Sequence, residues 1–263
     1  ICLRNLKKMI DDGFREFTRA WGGTIEGFFS PLQQFLIAAE RFMTQTPWPI
    51  IILIIMAIAW FASRSAKIVA GCMFTLLAIG YFDMWTDTMR TISMIFVCTV
   101  LSIVIGLPIG IAMSHSNRFQ RVVNPILDVM QTMPSFVYLI PVVMLLGIGR
   151  VPGLIAVVIY AIPPMIRLTN LGIRLVDRDV LEAADAFGSS GWQKLFKVQL
   201  PLALPTIMAG INQTIMMALA MVVIASMIGV QGLGQPVLKA IANQYFTLGI
   251  FNGLAIVGIA IIF

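Results

Sequence analysis

Of the 263 residues, 59% are apolar and 11% charged, against about 25% charged in a soluble globular domain, and the mean hydropathy is +0.93. A surface so poor in charge excludes a water-soluble fold. The net charge of +6 then reads as loop residues that set membrane orientation, and not as a nucleic-acid footprint.

No charged residue stands between Lys197 and Lys239, and none from Ala240 to Phe263; ~20 apolar residues carry a helix across the hydrocarbon core. In lipid the backbone must satisfy itself, which leaves helices or a closed barrel. Uninterrupted apolar runs without period-two alternation select helices. The expected fold class is an all-α polytopic membrane protein. Cys2, Cys72 and Cys98 have no metal-ligand spacing and His115 is the only histidine, so no metal site is expected. Ile1 is not a methionine and Phe263 lies inside an apolar run, so both ends read as trimmed.

In chain order, residues 1–46 come first as an amphipathic segment. Phe14, Phe17, Trp21, Ile25, Phe28, Leu32, Phe35, Ala39 and Phe42 recur in alternating steps of three and four, one face of a helix. Kinks are expected at Gly22-Gly23 and Pro31. Two readings stand side by side: a helix lying in the membrane surface, and a helix packed on its neighbours. Residues 47–84 hold two short apolar runs, 48–62 and 68–82, separated by Arg64 and Lys67. Longer runs follow at 91–113, 125–148, 151–166 and 200–230, and a last one starts near Tyr245. About seven spans result. Placing Arg64/Lys67, Arg118/Arg121 and the 167–197 loop on one side gathers nine Lys and Arg there, against Arg90, Arg150 and Lys239 opposite. The basic side is the cytoplasm. The six basic residues of segment 1–46 then fall outside, against the rule.

The cytoplasmic loop reads EAADAFGSSGWQKLFKVQLP over residues 182–201. Asp179 and Glu182 form a capping-box-like start, and Val180, Leu181, Ala184 and Phe187 an apolar stripe. Gly188 stands where a left-handed C-cap is wanted. Ser190 and Gln193 repeat the capping pattern before Trp192, Leu195 and Phe196. A loop that presents this much apolar surface to water needs a partner to cover it.

Glu182-Ala183-Ala184, Gly188, Val198, Leu200 and Pro201 together resemble the EAA motif of ATP-binding-cassette importer permeases, with Val198 where that family usually has Ile. Residues 128–149, 161–173 and 205–234 further resemble glycine betaine/proline betaine permease subunits. The resemblance implies a type I importer transmembrane domain over residues 85–263, with a coupling loop at 174–200. Within it, Glu182, Ala183, Ala184, Phe187, Gly188, Leu200 and Pro201 face the ATPase. It also implies two permease copies, two ATPase subunits that hold ATP and Mg, and a substrate-binding protein, separate or fused, in a bacterial cytoplasmic membrane. The implied cargo is glycine betaine, with carnitine, choline, proline or trimethylamine N-oxide as alternatives.

Polar residues stranded in apolar runs mark a candidate pathway: Asp128, Gln131 and Thr132 before Pro134, and Asn212 and Gln213 in the 200–230 run. Such groups in hydrocarbon face a cavity or each other, so interhelical hydrogen bonding is the competing reading. Phe136 and Tyr138, with Tyr160, offer the aromatic faces that attract a quaternary ammonium, though three scattered rings do not make a cage. No phosphate-binding loop is present, since Gly147–Arg150 lacks both the spacing and the lysine, so ATP hydrolysis is not expected of this chain. The rival class is an ion-driven secondary transporter. That class needs paired charges within spans and inverted repeats; no repeat is evident, and Asp128 is the one charge placed inside a span.

Overall fold

The computed structural model describes residue 27 and residues 29–262. The expected kink at Gly22-Gly23 and the stripe positions up to Phe28 lie outside the described residues. Every regular element among those described is helical. α1 is Phe29–Gln45, α2 Trp48–Ser63, α3 Ala66–Tyr81, α4 Trp85–His115, α5 Asn117–Thr132 and α6 Ser135–Leu146. α7 is Arg150–Arg174, α8 Arg178–Ala186, α9 Gly191–Lys194, α10 Leu200–Ala225, α11 Gly234–Asn243 and α12 Phe246–Ile262.

Three long helices, α4, α7 and α10, make the centre, because glycines let their backbones approach. α4 and α7 run parallel. A Cβ built at Gly106 would fall 2.9 Å from Met165 Cγ, and one at Gly110 2.6 Å from Thr169 Cβ. α10 returns antiparallel: Gly172 meets Thr206 and Ala203, and Gly210 meets Leu168 and the Pro164 carbonyl. Met89, Ile95, Val97, Leu154, Val157, Met221 and Val222 fill the core between them. α3 and α12 pack at the flank, with Phe82 stacked on Phe251 at 4.4 Å and Gly258 against Thr75.

Three helical stretches, Trp85–His115, Arg150–Arg174 and Gly191–Ile228, are each long and apolar enough to cross a membrane, and up to five crossings result if each of two bent pairs counts as one. α1 and α2 meet at 104° and α5 and α6 at 101°. The run at 125–148, expected as one span, is therefore a broken helix. Met133 precedes Pro134, whose ring pushes it out of the α region, and its ψ is 135°. Pro134 also has no N–H for the Met130 carbonyl, and the Tyr138 hydroxyl takes its place, donating to that oxygen.

The kink expected at Pro31 is absent, since α1 continues through it without a break. Its packed face is Leu32, Leu36, Ala39 and Met43; Leu32 and Ala39 belong to the expected stripe, whereas Phe35 and Phe42 are exposed. The helix lies across the outer halves of α4 and α7. There Glu40 holds Arg90 at 3.3 Å and Arg150 at 2.6 Å, and Arg150 donates to Gln231 Oε1 at 2.7 Å.

The charges of α4, α5, α7 and the 174–197 loop fall at the two expected ends of the bundle, with one exception. Arg118, Arg121 and residues 174–197 lie at one end, where Arg174 donates to the Met113 carbonyl at 2.8 Å. Arg90, Arg150 and Gln231 lie at the other. The exception is Arg167, expected in the loop; it sits about two turns inside α7. A cysteine replacing exposed Arg118 or Gln193 is expected to resist an impermeant thiol reagent in intact cells. One replacing exposed Lys239 should react, and labelling at residue 193 from outside would invert the orientation.

Candidate functional site

The loop at the basic end is two short helices clamped around a glycine. α8 starts at Asp177, whose carboxylate accepts the Asp179 N–H at 3.0 Å. This corrects the expected Asp179/Glu182 cap, since the observed one lies two residues upstream of Asp179. α8 ends in a Schellman arrangement: the Gly188 N–H bonds the Asp185 carbonyl at 2.9 Å and the Ser189 N–H the Ala184 carbonyl at 3.1 Å. That closure needs a left-handed residue, and Gly188 has φ +74°. Ser190 and Gln193 complete the expected capping box, at 2.9 and 3.4 Å. An ion pair between Lys194 and Asp185 ties the second helix back to the first.

α9 is not a separate helix, as the loop pattern suggested. It runs through a widened turn at Leu195–Gln199 into α10, so Gly191–Ile228 is one continuous rod. Pro201 has no N–H to give the Lys197 carbonyl, and the neighbouring Leu200 N–H reaches back five residues, to Leu195, the spacing of a π-turn. The loop is thereby continuous with a helix that crosses the protein. The loop's outward face is apolar: Phe187 is 93% exposed, and the exposed rings of Trp192 and Phe196 stack at 5.5 Å, 8° from parallel. Glu182 and Ala183 are exposed beside them and Ala184 is half-buried.

The candidate pathway residues divide. Gln131, Thr132 and Phe136 are exposed around the α5–α6 elbow, and Asn212 and Gln213 are exposed on α10. Tyr138 is buried, edge-on to Tyr160 at 5.8 Å, and its hydroxyl closes the broken backbone. Asp128 is not alone, because Arg167 of α7 forms an ion pair with it. This pair removes one objection to an ion-driven carrier, so the choice of class falls to a wider comparison.

Residues 102–263 match the family described as the binding-protein-dependent transport system inner membrane component. The glycine betaine/proline betaine transport system permease protein of Escherichia coli is 48% identical over 90% of this chain and 67% of its own length. The chain belongs to this family. The glycine betaine transport system permease protein of Bacillus subtilis is 44% identical over 97% of this chain and 90% of its own. The glycine betaine/carnitine transport permease protein of Listeria monocytogenes is 46% identical over 90% and 86%. The MetNI methionine ABC transporter, solved in an inward-facing conformation, superimposes with a TM-score of 0.59 at 22% identity, over 67% of this chain and 89% of that one. The fold is therefore the type I importer transmembrane domain. As an inner membrane component of a binding-protein-dependent transport system, this protein is a multi-pass permease subunit of an ATP-binding-cassette importer.

Within the family frame, two side chains stand out that the sequence reading did not single out. Glu40 fell outside the apolar period of α1, and no linear signal shows that it meets Arg90 and Arg150 from other helices. The apolar run 151–166 ends at the charged Arg167, which places that residue in the loop by sequence. Apolar residues at Ile166, Leu168, Leu171 and Ile173 continue the helical period past it and carried the missing signal.

Proposed function

We propose that this chain is the translocating subunit for glycine betaine or a close methylated-amine relative, paired with a second copy of itself, two ATPase subunits and a substrate-binding protein. The observation that carries the cargo is identity of 44–48% across 90–97% of the chain to permeases named for glycine betaine transport. ATP and Mg belong to the partner ATPase. Its docking surface is the 174–200 loop, with Phe187, Trp192 and Phe196 as the contact and Glu182, Ala183, Ala184 and Gly188 setting its shape. Leu200 and Pro201 link that loop to α10. Exposed amides are expensive against lipid, so Gln131, Asn212 and Gln213 face a water-filled passage or the second copy. The family domain occupies 85–263, residues 47–84 add two accessory helices, and 1–46 is a scaffold segment whose described part is latched by Glu40.

Reassembled in liposomes with its ATPase and binding protein, the complex is expected to hydrolyse ATP faster when glycine betaine is added. Carnitine is the informative competitor, since one relative carries both names. The cargo reading fails if methylated amines leave hydrolysis unchanged while an unrelated nutrient stimulates it.

A further inference from the structure

Arg167 of α7 and Asp128 of α5 form an interhelical ion pair among the described residues, and neither is fully used by the other. Arg167 lies ~10 Å from the basic end of α7, at the rise of 1.5 Å per residue. Charges at such depth are costly and are retained where they serve a passage. The pair joins one guanidinium arm to Asp128 Oδ1. The Arg167 Nε is buried and has no hydrogen-bond partner, while the Asp128 side chain is 62% exposed. Asp128, Gln131 and Thr132 are spaced three and four residues apart on α5, so they share one face, and all three are exposed.

We infer that Arg167 and Asp128 form a transient binding station for zwitterions on the cytoplasmic half of the pathway; this rests on the cargo proposed above. A guanidinium takes a carboxylate through parallel N–H donors, and the Arg167 side chain, 36% exposed, would present to it the arm released from Asp128. A quaternary ammonium has no N–H, so it needs only a nearby negative charge, which Asp128 supplies from its free oxygen. A molecule with both groups replaces the internal ion pair by two external ones. A pure cation meets Arg167 unfavourably, a pure anion meets Asp128 unfavourably, and a sugar compensates neither. Because cargo must displace an existing pair, binding is weak, which suits a station that has to release what it receives.

The test uses the complete transporter in liposomes and labelled glycine betaine. Wild-type uptake checks the cargo reading by itself, so a failure there is separate from a failure of the station. Arg167→Gln and Asp128→Asn are each expected to lower uptake about tenfold, the loss of one charge-assisted contact, at normal membrane abundance. The exchange variant, Asp128→Arg with Arg167→Asp, should restore the ion pair and the melting temperature of the parent without restoring uptake. Uptake at the wild-type rate in the exchange variant, or in both single variants, would make the pair a structural strut and overturn the station. Labelling offers a readout independent of folding losses. In an otherwise wild-type complex, maleimide modification of Gln131→Cys should be slowed by glycine betaine, and the added Arg167→Gln should abolish that protection. An active complex in which glycine betaine leaves the labelling rate unchanged equally overturns it.

Discussion

Gly188→Val is expected to uncouple the transporter: substrate-stimulated ATP hydrolysis and uptake fall at least tenfold, by the conversion of about 1.4 kcal/mol per decade, while the protein reaches the membrane at near-normal abundance. A side chain added at Gly188 meets nothing within 4 Å, so the penalty is not a clash. It lies in the backbone, which sits at φ +74°. An L residue there costs roughly 1–2 kcal/mol, and a β-branched one sits worse still. Relief comes only by leaving the left-handed region, which opens the bonds from Gly188 to Asp185 and from Ser189 to Ala184. α8 then swings relative to α9, and exposed Phe187 changes its position relative to the Trp192–Phe196 pair. Residue choice at this one position makes the argument testable. Asn, which tolerates the left-handed region, should retain most activity, Ala less and Val least. Uptake by Gly188→Val at the wild-type rate and abundance would remove this loop from the coupling path.

Gly110→Ala should act through the fold itself. The added Cβ would lie 2.6 Å from Thr169 Cβ and 2.9 Å from the Ile166 carbonyl oxygen, and backbone cannot rotate away. α4 must lift from α7 along their shared seam, at a cost of about 1–3 kcal/mol for overpacking, with loss of thermal stability and abundance. Gly71→Ala is the matched control. Gly71 is also inside a helix, and its added Cβ meets nothing within 4 Å, so it keeps the helix-propensity gain of up to about 1 kcal/mol without the clash. Comparing melting temperatures of the two purified variants isolates packing from propensity. Equal melting temperatures would show that the seam can absorb a methyl group.

Sequence by itself determined the class of molecule, the helical period, the charge asymmetry and the loop. Charge depletion over 198–238 without period-two alternation points to a helix in lipid, and α10 takes up 200–225 of that stretch. Gly188 and the Ser190–Gln193 box were legible because capping depends on residues within one turn of each other. Tertiary structure alone decided which apolar residue faces which neighbour. In α1, Leu36 packs inward and Phe35 and Phe42 point out, and hydropathy carries no phase when lipid and core are equally apolar. The same limit applies to proline. Pro108, Pro163 and Pro205 stay inside helices, whereas Pro134 turns the chain by 101°, because that outcome depends on which distant groups satisfy the freed carbonyls. The Tyr138 hydroxyl satisfies one of them. The contacts of Glu40 with Arg90 and Arg150, and of Asp128 with Arg167, join residues far apart in the chain. Only the packing of α1 and α5 against α4 and α7 brings those charges together, and their mutual neutralisation is what lets them remain at those positions.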